Sequence, residues 1–156
     1  RICLVGSEMC IRDSFDIVQP DAAFFGEKDY QQYLVIKKMT ESLKLNTRII
    51  CVKTVRDRNG LPLSSRNSYL SGQEFKIAIK INKLLKKLPP LIRTKLKINK
   101  ILNHTKKVLI DHGVDKIDYL TVLNDDLSVR KKISDKSRIF IAAKIGNTRL
   151  IDNIKI

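Results

Sequence analysis

The stretch AAFFGEKDYQQYLVI, residues 22 to 36, joins two elements with different hydrophobic periods. Residues 21 to 25 are mostly apolar, which is typical of a short buried β-strand. From about residue 29 to residue 44, apolar side chains recur every three or four positions, as on one face of an α-helix: Tyr30, Tyr33, Leu34, Met39 and Leu43. The run RIICVKTV, residues 48 to 55, is rich in β-branched side chains and predicts a second strand. The sequence therefore predicts a βαβ unit with parallel strands and a right-handed crossover.

The junction between the first strand and the helix, GEKD at residues 26 to 29, predicts an anion site. In open α/β sheets, ligands bind beyond the carboxyl ends of the strands, where helix N-termini favour negative charge. Gly26 has no side chain, so a ligand can approach the backbone there. Lys28 opposes the helix dipole by about 0.3–1 kcal/mol, and a bound anion would offset this. The alternative is that Lys28 is simply one of the many lysines of this chain.

The second half of the chain predicts a small α+β lobe. Asn59 and Gly60 signal a turn, and Ser71-Gly72-Gln73-Glu74 is a capping box that begins a helix with Phe75, Ala78, Leu85 and Leu88 on one side. We expect Pro89-Pro90 to end that helix. A second helix is predicted over residues 98 to 112, with Gly113 as its C′ residue. KIDYLTVL and RIFIAAKI predict strands, and Gly146-Asn147 turns the latter into TRLIDNIKI.

A second group of polar residues, LSSRN at residues 63 to 67, precedes the capping box. Two hydroxyls and an arginine on a loop can hold phosphate oxygens, the arginine through its planar guanidinium. Serine and asparagine also populate ordinary turns. The pattern alone therefore leaves both interpretations open.

Composition limits the class of protein. The chain has 156 residues, enough for one domain or two small lobes, and no apolar run approaches the ~20 residues that cross a bilayer. Three cysteines in no metal-binding spacing indicate a reducing compartment, so we expect a cytoplasmic protein that does not associate with membranes. His104 and His112 lack cysteine or carboxylate neighbours, and we predict no metal site on the protein.

The formal net charge of +15 raises the possibility of a nucleic-acid-binding module. Much of the excess lies between Glu74 and Asp111, where basic residues occur without any acidic one. No recognisable binding motif accompanies them and aromatic residues are scarce. We prefer a solvated helix face, and we keep the basic module as the alternative function.

Three ordered stretches together resemble pantothenate synthetase, also called pantoate–β-alanine ligase: QPDAAFFGEKDYQQYLVIKKM, TVRDRNGLPLSSRNSYLS and AAKIGNTRLIDN. The resemblance covers residues 15 to 156. It implies an AMP-forming ligase that condenses pantoate with β-alanine through a pantoyl adenylate, using ATP and Mg²⁺. It also implies part of a Rossmann-like domain of the nucleotidylyltransferase superfamily at residues 14–58, with a C-terminal lid lobe at residues 59–156. GEKDYQQ together with SSRN argues against another adenylate-forming transferase of that superfamily.

The resemblance also assigns roles to individual residues. The ATP-binding positions it implies are Gly26, Glu27, Lys28, Asp29, Val55, Leu63, Ser64, Ser65 and Arg66. Gln32 matches the glutamine that binds pantoate, and many relatives have methionine at the position of Leu63. Lys28 and Arg66 are the expected catalytic residues, since adenylation builds negative charge on the phosphates that fixed cations stabilise.

Part of the family pattern is not found in this sequence. The family's N-terminal half carries a His-x-Gly-His motif, and we expect the fragment to be inactive alone. The family implies a homodimer for the full-length enzyme. Residues 1–13 match no part of the pattern, and we expect a non-family leader that is disordered or of artefactual origin.

Overall fold

The computed structural model describes residues 5–94, 97–128 and 137–156. Its contacts divide the chain into an N-terminal unit, Arg1–Lys53, and a C-terminal unit, Thr54–Ile156. The division lies five residues before the predicted boundary between residues 58 and 59. Of the helices that the structure describes, none combines the length and apolar character that crossing a membrane requires.

The N-terminal unit contains the predicted parallel strand pair. Helix α1, Val5–Val18, precedes strand β1, Ala22–Gly26, a 3-10 helix, Glu27–Asp29, helix α2, Tyr30–Ser42, and strand β2, Arg48–Val52. β1 and β2 pair in parallel from Ala22 opposite Arg48 to Gly26 opposite Val52. Ile36 of α2 is buried and is the main apolar anchor of that helix. The predicted βαβ unit with parallel strands is therefore confirmed, although β2 ends at Val52, three residues earlier than predicted.

Helix α1 includes part of the segment that we expected to be a disordered or artefactual leader. Residues 5–13 are helical and continue into the turn that contains Phe15 and Ile17. Met9 and Ile17 are exposed in this helix. The helix ends at Val18, two residues before Pro20, because the residue before a proline is disfavoured in helical conformation.

The C-terminal unit packs two helices on an antiparallel sheet. A 3-10 helix, Ser65–Tyr69, is followed by α3, Gly72–Arg93, α4, Ile98–Asp111, and strands β3, Lys116–Asn124, β4, Ser137–Ile145, and β5, Thr148–Lys155. The strand order is β3-β4-β5. Leu85, Leu109 and Ile139 are among the fully buried side chains of its core. This confirms the predicted α+β lobe.

The ends of the two long helices follow sequence signals. Ser71 caps α3: its hydroxyl accepts from the Glu74 amide at 3.3 Å, and the Glu74 carboxylate accepts from the Ser71 amide at 2.7 Å. Gly113, at φ +97°, follows α4, and the Val114 amide donates to Leu109 O at 3.1 Å. This is the Schellman arrangement, in which a glycine adopts the left-handed conformation that other residues avoid.

The predicted end of α3 at Pro89 and Pro90 is wrong, since both prolines lie inside the helix. Proline removes a backbone donor and crowds the preceding turn, which disfavours such a position. Leu88 and Ile92 continue the buried stripe across the prolines, at 3% and 0% exposure. Their burial in the core explains why the helix continues to Arg93.

The basic residues between Glu74 and Asp111 are mostly exposed on α3 and α4. Lys76, Lys80, Lys83, Lys100 and Lys107 are all exposed, while the apolar stripes of both helices face the core. Lys95 lies outside the described residues. The observed exposure is typical of a solvated helix face.

Candidate functional site

The GEKD turn lies at the carboxyl end of the parallel strand pair. Gly26 is the last residue of β1, opposite Val52, the last residue of β2. Glu27, Lys28 and Asp29 form the 3-10 helix that leads into α2. The turn therefore occupies the edge at which open α/β sheets bind their ligands.

Gly26 is not required by the backbone or by packing within the described residues. Its φ of −69° and ψ of 132° are open to any residue. A β-carbon built on Gly26 would meet no heavy atom within 4 Å. An alanine would fit there, so the open space above Gly26 is available to a ligand that approaches the backbone.

The start of α2 presents polar groups next to Gly26. Asp29 occupies the N-cap position, but its side chain makes no capping hydrogen bond. Gln32 lies half-buried in the first turn of α2, and Lys28 is half-buried in the 3-10 helix. The structure thus brings Gly26, Lys28 and Gln32 onto one short segment of the N-terminal unit.

The remaining predicted residues belong to the C-terminal unit. The Leu63 amide donates to Val55 O at 2.9 Å, so the predicted positions Val55 and Leu63 are neighbours. Both side chains are exposed, Val55 by 62% and Leu63 by 55%. Between them the chain turns back on itself, and the Asp57 amide donates to Leu61 O at 2.9 Å.

Residues 63–66, which we call the LSSR loop, run into the 3-10 helix. Ser64 caps that helix, and its hydroxyl accepts from the Arg66 amide at 3.3 Å. The Asn67 side-chain amide donates to Pro62 O at 2.9 Å, a hydrogen bond that spans the LSSR loop. The side chains of Ser65 and Arg66 are exposed and make no hydrogen bond to any part of the chain that the structure describes. They are free to meet a ligand.

Asp57 is a feature of this region that the sequence reasoning missed. Its carboxylate accepts from the amides of Asn59 and Leu61, both at 2.8 Å. Burial acts to raise the pKa of Asp57, but the hydrogen bonds from Leu61 and Asn59 outweigh it, so this pKa lies below its ordinary value. Asp57 shapes the turn rather than offering a proton. An aspartate two residues before Asn59-Gly60 is the signal that could have revealed this turn.

A cleft of about 620 Å³ lies elsewhere in the N-terminal unit. It is lined by residues that precede the two strands, including Pro20, Asp21, Asn46 and Thr47. It is therefore at the opposite edge of the strand pair from Gly26, and none of the predicted site residues lines it. Among the described residues, no group of three or more His, Cys, Asp or Glu side chains is placed to hold a metal ion.

Comparison with known proteins decides the family. The sequence model of the family described as Pantoate-beta-alanine ligase matches residues 6–155. The chain belongs to this family. The match begins at residue 6, so it includes most of the segment that we expected to lie outside the family.

Curated relatives of the pantoate–β-alanine ligase family show how much of the protein is present. The chain is 41% identical over 142 residues to a pantothenate synthetase of Shewanella oneidensis, covering 90% of this chain and 50% of that protein. It is 42% identical over 158 residues to a pantothenate synthetase of Buchnera aphidicola, covering 97% of this chain and 54% of that protein. The chain therefore spans about half the length of the curated relatives that it matches.

Solved structures of the family confirm the fold class. The pantothenate synthetase of Thermus thermophilus superposes with a TM-score of 0.88 at 32% identity, covering 96% of this chain and 55% of that one. The pantoate-beta-alanine ligase of Francisella tularensis, complexed with beta-gamma ATP and beta-alanine, gives a TM-score of 0.72 at 31% identity, covering 95% and 48%. The fold is thus the mixed α/β architecture of these ligases.

Proposed function

We propose that the chain is part of an enzyme that condenses pantoate with β-alanine, using ATP through a pantoyl adenylate. The family match supports the reaction class. The observation that carries the site is the GEKD turn at the carboxyl end of the strand pair, with open space above Gly26. A nucleotide phosphate placed there would meet the backbone without a side chain in the way.

The two groups of predicted residues have separate tasks in this proposal. Lys28 on the turn and Arg66 on the LSSR loop hold the phosphates of ATP, and their charges stabilise the departing pyrophosphate. Arg66 is suited to this task because its guanidinium is exposed and has no partner among the described residues. Gln32, beside the turn, grips pantoate through its amide. The remaining contacts with ATP come from Glu27, Asp29, Val55, Leu63, Ser64 and Ser65.

Magnesium enters the proposal with the nucleotide. Mg²⁺ usually keeps several water ligands and binds through substrate phosphates rather than in a cage made only of protein groups. The chemistry of the site therefore requires no cluster of acidic ligands on the protein. Cytoplasmic location and a homodimer of the full-length enzyme are part of the same proposal.

Pantoate-dependent exchange of pyrophosphate into ATP tests the two cations in a full-length enzyme that carries this segment. Lys28→Ala and Arg66→Ala each should lose about 2–4 kcal/mol of transition-state stabilisation, which slows exchange by roughly 30- to 900-fold. Lys38→Ala and Arg58→Ala are matched controls, since both side chains are exposed in the same two segments. Near-normal exchange in Lys28→Ala and Arg66→Ala would remove the proposed roles.

A further inference from the structure

A partly buried ion pair joins the base of the LSSR loop to strand β5 of the C-terminal unit. The guanidinium of Arg56 donates from Nη1 to Asp152 Oδ2 and from Nη2 to Asp152 Oδ1, both at 2.8 Å. The Asp152 side chain is 5% exposed and that of Arg56 is 21% exposed. We call this two-bond contact the fork. Such paired bonds fix both the distance and the angle between the two groups.

The fork is held from several sides. Asp152 Oδ1 accepts from the Asn153 amide at 2.8 Å, and Asp152 Oδ2 accepts from the side chain of buried Asn82 at 3.2 Å. Asn153 in turn accepts from Arg138 of β4 at 2.5 Å. The carboxylate of Asp152 therefore has a fixed position on the sheet, and α3 supports it through Asn82.

Arg56 transmits this position to the loop. It lies opposite Pro62 in an antiparallel bridge, next to the Leu63-to-Val55 hydrogen bond. Its Nη1 also donates to Gly60 O at 3.1 Å, which ties the turn of the loop to the same guanidinium. The Arg56 side chain and backbone thus hold the turn at Gly60 and the segment at Pro62, which leads into the LSSR loop.

We infer that Arg56 and Asp152 are positioning residues, which hold the LSSR loop in the place where Ser64, Ser65 and Arg66 meet phosphate. The inference rests on the proposed function of that loop. Both terminal nitrogens of the Arg56 guanidinium already donate hydrogen bonds, Nη1 to Asp152 and Gly60 and Nη2 to Asp152, so these two groups are engaged within the protein. Arg56 therefore acts through Arg66 and is not a catalytic residue.

Arg56→Lys tests the inference in this chain, because lysine keeps the charge but cannot form the fork. Amide hydrogen exchange of Leu63, compared with that of Ile141 on the central strand, reports whether the loop has loosened separately from the sheet. We expect the ratio of the Leu63 exchange rate to the Ile141 exchange rate to rise about tenfold or more in Arg56→Lys, because the loop would open locally while the sheet stays closed.

Two controls separate positioning from general loss of stability. Arg149→Lys makes the same chemical change in an exposed ion pair with Asp118 on the same sheet. Ile139→Val trims a fully buried core side chain away from the loop. Neither control should raise the ratio, because a general loss of stability speeds exchange at Ile141 at least as much as at Leu63. If Arg56→Lys does not fold, the double variant Arg56→Gln with Asp152→Asn replaces the fork by two neutral amides, so no charge is left buried and unpaired.

The second measurement is titration with inorganic pyrophosphate, followed through the amide chemical shifts of Ser64, Ser65 and Arg66. We expect saturable shifts in the unmodified chain and an affinity about tenfold weaker in Arg56→Lys, as for loss of one charge-assisted contact. The inference is overturned if the exchange ratio in Arg56→Lys is unchanged. It is also overturned if the ratio rises but the affinity of Arg56→Lys for pyrophosphate is unchanged. A raised ratio without any pyrophosphate response in the unmodified chain supports the positioning of the loop and refutes its phosphate-binding function.

Discussion

Gly60 occupies a position where only glycine fits, and replacing it should unsettle the turn that leads into the LSSR loop. Its φ is +86°, in the left-handed region, where an L-residue costs roughly 1–2 kcal/mol. A β-carbon there would lie 2.6 Å from Asn82 Oδ1 and 3.2 Å from Lys86 Nζ. Lysine can swing away, but Asn82 is buried and donates to Asp152. Disturbing that bond adds about 1–2 kcal/mol.

Gly60→Ala should therefore lower the free energy of unfolding of the C-terminal unit by about 2–4 kcal/mol, from the sum of these two effects. Urea unfolding followed by helical circular dichroism measures this, since α3 and α4 belong to that unit. Gly72→Ala is the matched control: its β-carbon would meet nothing within 4 Å, and it begins α3. The free energy of unfolding of Gly72→Ala should be unchanged or rise by up to about 1 kcal/mol. Equal effects of the two substitutions would refute the close approach of Gly60 to Asn82.

Of four further predictions, two concern the capping box, one the proline-containing helix and one the pantoate contact. Ser71→Ala should cost about 1 kcal/mol in urea unfolding, because the Glu74 amide loses its acceptor. Hydrogen bonds from the Ser71 amide and hydroxyl lower the pKa of Glu74. The contribution of the Glu74 carboxylate to stability is therefore present above the ordinary carboxyl pKa and is lost as the pH falls through the lowered pKa. The difference in thermal midpoint between the unmodified chain and Glu74→Gln should narrow below about pH 4, and a difference that stays constant with pH would contradict this. Ile92→Ala should lower the free energy of unfolding by about 2–5 kcal/mol, because the Ile92 side chain is buried. Leu91→Ala should lower it much less, because the Leu91 side chain is 48% exposed. The reverse order would show that the helix ends at Pro89. In a full-length enzyme, Gln32→Ala should raise KM for pantoate and leave KM for ATP unaltered, and an unchanged pantoate KM would argue against the assignment.

Local patterns predicted the local structure of this chain well. The change of period at Gly26 marked the end of β1, and the Ser71–Glu74 spacing marked the start of α3, because both signals depend on residues within one turn of each other. Gly113 marked the end of α4 for the same reason.

Features that depend on distant residues were not predictable from such patterns. α3 continues through Pro89 because Ile92 is buried against the core, and tertiary packing there overrides local preference. Arg56 and Asp152 are 96 residues apart, and nothing in either neighbourhood indicates the other. In the candidate site, the resemblance supplied Gln32 and Val55, whereas the local argument alone found only the GEKD turn and the LSSRN stretch.

The separation between Arg56 and Asp152 has a consequence for newly made chains. Ribosomes add about 5–20 residues per second, so the 96 residues that separate the two require about 5 to 20 s of synthesis. During this time the segment with Arg66 has emerged, but its anchor on β5 does not yet exist. Order in the loop is therefore completed only after translation has passed residue 152. A nascent chain that stops before that residue would carry every side chain of this loop that we propose to bind phosphate, but not the strand that holds the loop in place.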